Sequence, residues 1–307
     1  METPRGARLG GIGVIGGKET LGNVSSVAEE PGLVFDRVAG EYDRVRPGYP
    51  AVLIDQACER AGLGANSRVV EVGCGTGKLT VALAGRGLHI EATDPGLELL
   101  TIARRRLSGS SVRFHACRFE DAELPDSAFD AVFSATAFHW VDPLVGWAKV
   151  ARLLRPGGFL ALLDYPGGWS LALTRDLEPD AAIMAAWREV MPGLASSRDA
   201  QTIWTGAEAR LGNVSELWEW FVGPDHEIAT REAADLFTDV QYTSIPIERE
   251  ETTEEAIARL RTMAAYLRLD SDRQRLLERR LTAIIADAGG TYRSSALPTL
   301  ATARVAA

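Results

Sequence analysis

The run Arg68-Val69-Val70-Glu71-Val72-Gly73-Cys74-Gly75-Thr76-Gly77 constrains this chain more than any other stretch. Its apolar residues, Val69, Val70 and Val72, suit a strand buried in a parallel sheet. Three alternate glycines follow, and Leu79, Val81, Ala82, Leu83 and Ala84 then read as a helix. Glycine lets the backbone take positive φ and come close to a ligand. A strand, a glycine turn and a helix, in that order, build a cofactor-binding edge. The spacing departs from the dinucleotide fingerprint G-x-G-x-x-G, because Lys78 holds the place of the third glycine. Residues 11–16 do spell that fingerprint. Pro4, Arg5, Gly6 and Arg8 precede them where a strand is needed, so the motif there has no mechanism.

Beyond the turn, strands are predicted at 88–93, 112–116, 129–135 and 159–164, alternating with helices at 97–107 and 144–154. Pro156-Gly157-Gly158 is expected to close the second of these helices. Ahead of the turn, Phe35, Val38, Tyr42 and Val45 fall on one helical face, and a second helix over 51–61 opens with Pro50 and ends at Gly62. This alternation implies an α/β fold: a doubly wound, mostly parallel seven-stranded sheet with helices on both faces. Right-handed crossovers then bring the strand ends that carry chemistry to one edge. From 166 to 230 the pattern is irregular and helical, with 181–190 and 206–211 as helices and 216–222 ambiguous. A helix at 231–237, a sixth strand at 240–248, helices at 253–269 and 273–288 and a seventh strand at 291–305, interrupted near Pro298, complete the chain. Thr252 with Glu255 reads as a capping box. The expected organisation is a disordered Gly- and Ser-rich tail (1–32), a cofactor-binding core (33–165), a helical substrate lid inserted in the same domain (166–230), and the rest of the core with two further helices (231–307).

A chain of 307 residues can bury one large core. Its formal charge of −9 argues against an electrostatic nucleic-acid binder, which needs a basic stripe. No apolar run reaches the length of a membrane span. Residues 9–16 are half glycine and do not make a secretory signal. Cys58, Cys74 and Cys117 are scattered and odd in number, as expected of reduced thiols in the cytoplasm. The four histidines form no metal-ligand cluster, and no metal site is expected. A homodimer is neither implied nor excluded.

The pattern Glu71-x-Gly73-x-Gly75-x-Gly77 resembles motif I of the class I S-adenosylmethionine-dependent methyltransferases. The segments 35–47 and 129–142, the latter ending in Phe138-His139-Trp140-Val141-Asp142, resemble the small-molecule branch that includes trans-aconitate-type methyltransferases. The likeness covers 33–165 well, 231–307 loosely, and leaves 166–230 unmatched. It implies S-adenosylmethionine as cofactor. The glycine turn, with Cys74, would pass under the amino-acid end of the cofactor, and Glu71 would orient the site. Tyr42 and Arg46 would contact the cofactor from a helix folded over it. Ala135 and Thr136, at the end of the fourth strand, would lie beside the turn.

Asp94 closes the second strand, where a carboxylate accepts both hydroxyls of a ribose. The competing reading is a helix cap, since Asp94-Pro95 is also a good helix start. The resemblance assigns Asp94 to the ribose, with Pro95 beside it, Glu120 to the adenine amine and Phe119 to the adenine face. A cluster of Glu120, Asp121, Glu123 and Asp126 also fits an acidic surface loop. His139 is the candidate base, because imidazole titrates near neutrality. The competing reading is that it only donates a hydrogen bond, since methyl transfer depends chiefly on proximity. All seven tryptophans fall between 140 and 220; most suit a local core, while Trp140 and Trp169 are placed near substrate.

The expected function is methyl transfer to a small molecule, to oxygen by analogy, and the Ala- and Arg-heavy composition hints at secondary metabolism. Two alternatives stand beside it. One keeps the cofactor for a non-methylating reaction such as cyclisation. The other is a non-enzymatic binding subunit.

Overall fold

The computed structural model describes residues 33–166, 177–193, 198–223 and 228–306. The tail at 1–32 and Trp169 lie outside the described residues. Nine strands are described: β1 (Arg68–Val72), β2 (His89–Thr93), β3 (Val112–His115), β4 (Phe129–Ala135), β5 (Leu154–Asp164), β6 (Phe237–Ser244), β7 (Ile247–Thr252), β8 (Thr291–Ala296) and β9 (Thr299–Val305). Seven make one sheet in the order β3-β2-β1-β4-β5-β9-β6. The first five run parallel, and β9 lies antiparallel between β5 and β6. The expected doubly wound, mostly parallel sheet is present.

Side chains alternate along a strand, and β1 shows what this does here. Val70 and Val72 point into one buried cluster, with Trp147, Leu160 and Trp218. Val69 points into the other, with Leu53, Leu83 and Phe133. Both faces are therefore covered, which is why the strand reads as apolar throughout. The order of strands reverses at β1 and β4, so their carboxyl ends diverge and leave a crevice.

The structure departs from the sequence pattern in several places: the expected helix 253–269 is two, Thr253–Leu260 and Ala264–Leu267, and the one expected at 206–211 is Ala200–Glu208. Strand β5 begins at Leu154, not at 159, because Leu154 already pairs with Phe129; Pro156-Gly157-Gly158 make an excursion within the strand, with Gly157 at φ 73°. Pro50 stands at the cap of the helix Ala51–Ala61 and not within it. The predicted sixth and seventh strands are each two strands. One half of each, β6 and β9, belongs to the main sheet; the other halves, β7 and β8, pair as a separate antiparallel ribbon. Both breaks fall at proline, Pro246 and Pro298, which cannot donate to a ladder. The Ile245 amide donates to the Pro298 carbonyl across the bend.

That ribbon carries the helices Thr253–Leu260, Ala264–Leu267 and Ser271–Asp287 away from the sheet. Thr252 and Glu255 form the expected capping box. The helix Leu177–Val190 packs on this outer unit: Ile183 and Trp187 share a buried cluster with Leu260, Leu277 and Leu281. Glu189 pairs with Arg280, and Asp180 accepts from the Tyr292 hydroxyl at 2.7 Å. The helices Ala200–Glu208 and Val214–Val222 pack elsewhere, on the main sheet, through Ile203, Trp218 and Phe221. Among the described residues no helix is long and apolar enough to cross a membrane.

Candidate active site

The turn after β1 is seated by two amides: Gly73 and Cys74 donate to the Thr93 carbonyl at 2.9 and 3.0 Å. Its glycines serve different ends, although all three have positive φ. A Cβ on Gly73 would stand 2.3 Å from the Ala137 Cβ. On Gly77 it would meet Ala103 and Leu107 at 3.2 Å, so this glycine admits the helix Leu97–Arg106 and does not line the crevice. On Gly75 it would meet nothing within 4 Å, and this backbone faces open space.

Asp94 binds that turn. One carboxylate oxygen accepts from the Gly75 amide and the other from the Gly96 amide, both at 2.8 Å. Each oxygen keeps a further lone pair. Burial pushes the Asp94 carboxyl up to about 6, against the pull of the two amides. The capping of the next helix falls to another residue. Asp36, in the 3-10 helix Leu33–Val38, accepts from the Glu98 and Leu99 amides at 2.8 and 3.0 Å. The following helix, Ala39–Val45, is tied down as well: Asp43 takes a two-pronged bond from Arg106, and its carbonyl accepts from Lys78 at 2.7 Å.

Two compartments run along the ends of β1 and β4 and share Tyr42, Gly73, Gly75, Ala135 and Thr136. The first holds about 710 Å³ and is lined by Asp94, Pro95, Phe119, Glu120 and Trp140. The second holds about 800 Å³ and is lined by Arg46, Glu71, Cys74, Lys78 and Asp164. Most cofactor-side residues expected from the sequence thus meet in one crevice. His139 lies outside it, in a third, outer chamber of about 1310 Å³ shared with Arg46, Thr136, Trp140 and Arg268.

Electrostatics differ along the crevice. Glu71 Oε2 is buried without a hydrogen-bond partner. Burial pushes this carboxyl up to about 8, with the Thr80 hydroxyl opposing and the Asp94 charge adding. Glu120 behaves otherwise. Burial works to raise it, but the bond from Arg118 and the Asp142 amide, each at 2.8 Å, hold it below the usual carboxylate range. The loop that carries it is pinned by a residue that no sequence motif singles out. Buried Lys149 donates to the Glu120 and Ala122 carbonyls at 2.9 and 2.6 Å, with its ammonium 5.1 Å from the centre of the Phe119 ring.

Asp164, at the end of β5, was also missed. The rule that picked out Asp94, an acid closing a parallel strand, would have found it. Burial pushes its carboxyl up to about 6, opposed by the Tyr165 amide and the Thr136 hydroxyl. Thr136 itself sits at φ 51°, a costly conformation for a β-branched residue. It is held there by a 2.8 Å bond from its amide to the Leu163 carbonyl and by a hydroxyl contact with Tyr49.

Residues 70–162 match the model of a family described as methyltransferase domain. An uncharacterized methyltransferase of Mycobacterium tuberculosis is 42% identical over 141 residues, which are 45% of this chain and 56% of that protein. A demethylmenaquinone methyltransferase of Clavibacter sepedonicus is 33% identical over 151 residues, 46% of this chain and 61% of that one. The chain thus spans a little over half the length of the curated relatives it matches. Among solved structures, a putative type II methyltransferase from Anaeromyxobacter dehalogenans aligns with 84% of this chain and 97% of its own, at a TM-score of 0.54 and 22% identity. The fold is therefore that of the Rossmann-like methyltransferases. The segment 70–162 is similar to methyltransferase domains, for which S-adenosylmethionine is the cofactor.

Proposed function

We propose that the protein transfers a methyl group from S-adenosylmethionine to an oxygen of a small molecule. The observation that carries this reading is the junction of Gly75 and Asp94: an unobstructed glycine backbone, hydrogen-bonded to a buried strand-end carboxylate, at the mouth of the crevice. The residues present suit the cofactor's parts. Asp94 has lone pairs for two ribose hydroxyls. Phe119 and Pro95 offer an apolar wall and Glu120 an acceptor for the adenine end. Arg46 and Lys78 suit a carboxylate, and the unpartnered Glu71 oxygen suits an ammonium.

When bound, S-adenosylmethionine supplies an electrophilic methyl on a positively charged sulfur. The chain's own part is chiefly to bring acceptor and cofactor into line, a proximity effect. Thr136, common to all three compartments, marks where the crevice opens on the outer chamber. His139, in that chamber, takes the proton of an acceptor hydroxyl, and Trp140 supplies a wall common to both spaces. The cover over the chamber is the unit formed by 177–190 with 253–287, and its role is to close on the acceptor. A setting in secondary metabolism rests on composition alone.

Calorimetry with S-adenosylmethionine and its demethylated product tests the cofactor reading. Micromolar-range binding is expected, with Gly75→Asp and Asp94→Ala each weakening it at least about tenfold. Unchanged binding in both variants would remove the proposal.

A further inference from the structure

The outer chamber carries a charge pattern that the cofactor crevice lacks. Phe35 stands edge-on to Tyr42 at 5.5 Å and to Trp140 at 6.1 Å, so the three rings form one row. A guanidinium lies at each end of it: Arg46 is 5.4 Å from the Tyr42 ring and Arg268 is 5.3 Å from the Trp140 ring. Arg46 is held by a neutral partner, Thr262. Nearby Arg259 and Arg261 are matched by Glu251 and Glu278. Among the described residues no carboxylate pairs with Arg268, and none lines the chamber. Arg46 also borders the cofactor crevice, whereas Arg268 borders the chamber and not that crevice.

We propose that Arg268 anchors a carboxylate on the methyl acceptor, whose flat apolar body lies against Phe35 and Trp140. The assignment of this chamber to the acceptor rests on the function proposed above. A guanidinium presents a planar fork of donors that matches a carboxylate, and its position over an aromatic ring orders it before the ligand arrives. An aromatic wall beside it suits a ring or a conjugated chain. The paired carboxylate is the handle and not the methylated group, since an oxygen bonded to a guanidinium is a poorer nucleophile. The accepting hydroxyl then lies at the other end of the body, towards His139.

The test uses matched probes on the full chain: indole-3-acetate against indole-3-acetamide, and benzoate against benzamide, by calorimetry or tryptophan fluorescence. Each carboxylate is expected to bind at least about tenfold more tightly than its amide. Arg268→Gln should abolish that preference, and Arg268→Lys should restore part of it, which a purely structural role would not do. Equal binding of acid and amide, a preference that survives Arg268→Gln, or no binding of either probe pair would overturn the proposal. S-adenosylhomocysteine is titrated separately into each variant. Its failure to bind the unaltered chain would remove the cofactor reading, while the acid–amide comparison on the free protein would still decide what Arg268 recognises.

Discussion

Arg46 donates from its guanidinium to both the hydroxyl and the carbonyl of Thr262, at 3.0 and 2.7 Å. The contact joins the end of the N-terminal helix, beside the crevice, to the outer helical unit that follows β7. It is half-buried, and Thr262 is fully enclosed. Burial presses the Arg46 pKa down, with the Tyr42 hydroxyl the main opposing influence, so the charge persists because Thr262 and the adjoining ring replace water around it. Losing the Arg46 side chain therefore removes a clasp between two parts of the molecule. Arg46→Ala is expected to cost about 2–4 kcal/mol and to speed amide exchange over 253–269, with little change in β1 and β4. Hydrogen-exchange mass spectrometry reads this directly. Uniform acceleration across the chain would show that the contact is not a local clasp.

Gly73 and Gly75 separate folding from binding. Gly73→Ala meets both a positive φ and the Ala137 Cβ, and should lose about 2–4 kcal/mol of stability. Gly75→Ala meets only the φ cost, about 1–2 kcal/mol, because the added methyl enters open space. Its methyl would occupy the crevice, so the loss of cofactor affinity should exceed the loss of stability. Denaturant titration and calorimetry on both variants check the two effects. Equal stability losses would contradict the geometry.

Three buried carboxyls flank the crevice, with Glu71 raised to about 8 and Asp94 and Asp164 to about 6. A raised folded-state pKa means the native chain holds its proton more tightly than the unfolded one. Their contribution to stability is full below the ordinary carboxylate range and is lost as pH rises through 6 and then 8. Free protein should therefore weaken over that window, and Glu71→Gln should flatten the upper part. A cationic ligand favours the ionised forms, so S-adenosylmethionine should release more protons on binding at neutral pH than its uncharged-sulfur product. Calorimetry in buffers of different ionisation enthalpy measures the difference; identical release would count against these carboxyls sensing the sulfonium charge.

Lys149 has the opposite sign. Burial lowers its pKa, and it stays useful as a donor to two carbonyls of the loop that bears Phe119 and Glu120. Lys149→Met keeps the apolar stem but leaves both carbonyls short of a partner, at a cost of about 2–3 kcal/mol. Affinity for S-adenosylhomocysteine should fall as that loop shifts. A variant with lowered stability but unaltered affinity would confine Lys149 to a structural role.

Much of the crevice was legible because it is local. The strand, the turn glycines and Asp94 lie within a short stretch, and the physics that assigns them acts between neighbours. Phe119, Glu120, Ala135 and Thr136 were reached through strand ends, which a regular α/β alternation brings to one edge. What escaped depends on contacts between distant segments. Asp36 takes the helix cap that the competing reading gave to Asp94, and only the fold brings 36 beside 98. Arg268 follows a short helix with no motif of its own. That His139 lines an outer chamber, apart from the glycine turn, is likewise set by the fold.

The sequence alone determined the sheet, its core strands and the glycine edge, since hydrophobic period and glycine conformation are properties of adjacent residues. Tertiary structure decided where β6 and β9 bend out at Pro246 and Pro298, and hence where the outer helices sit. A proline announces that a strand must stop, but its sequence neighbourhood does not say that two such stops will face each other. Their alignment sets the direction of the ribbon, and with it which arginine meets which ring.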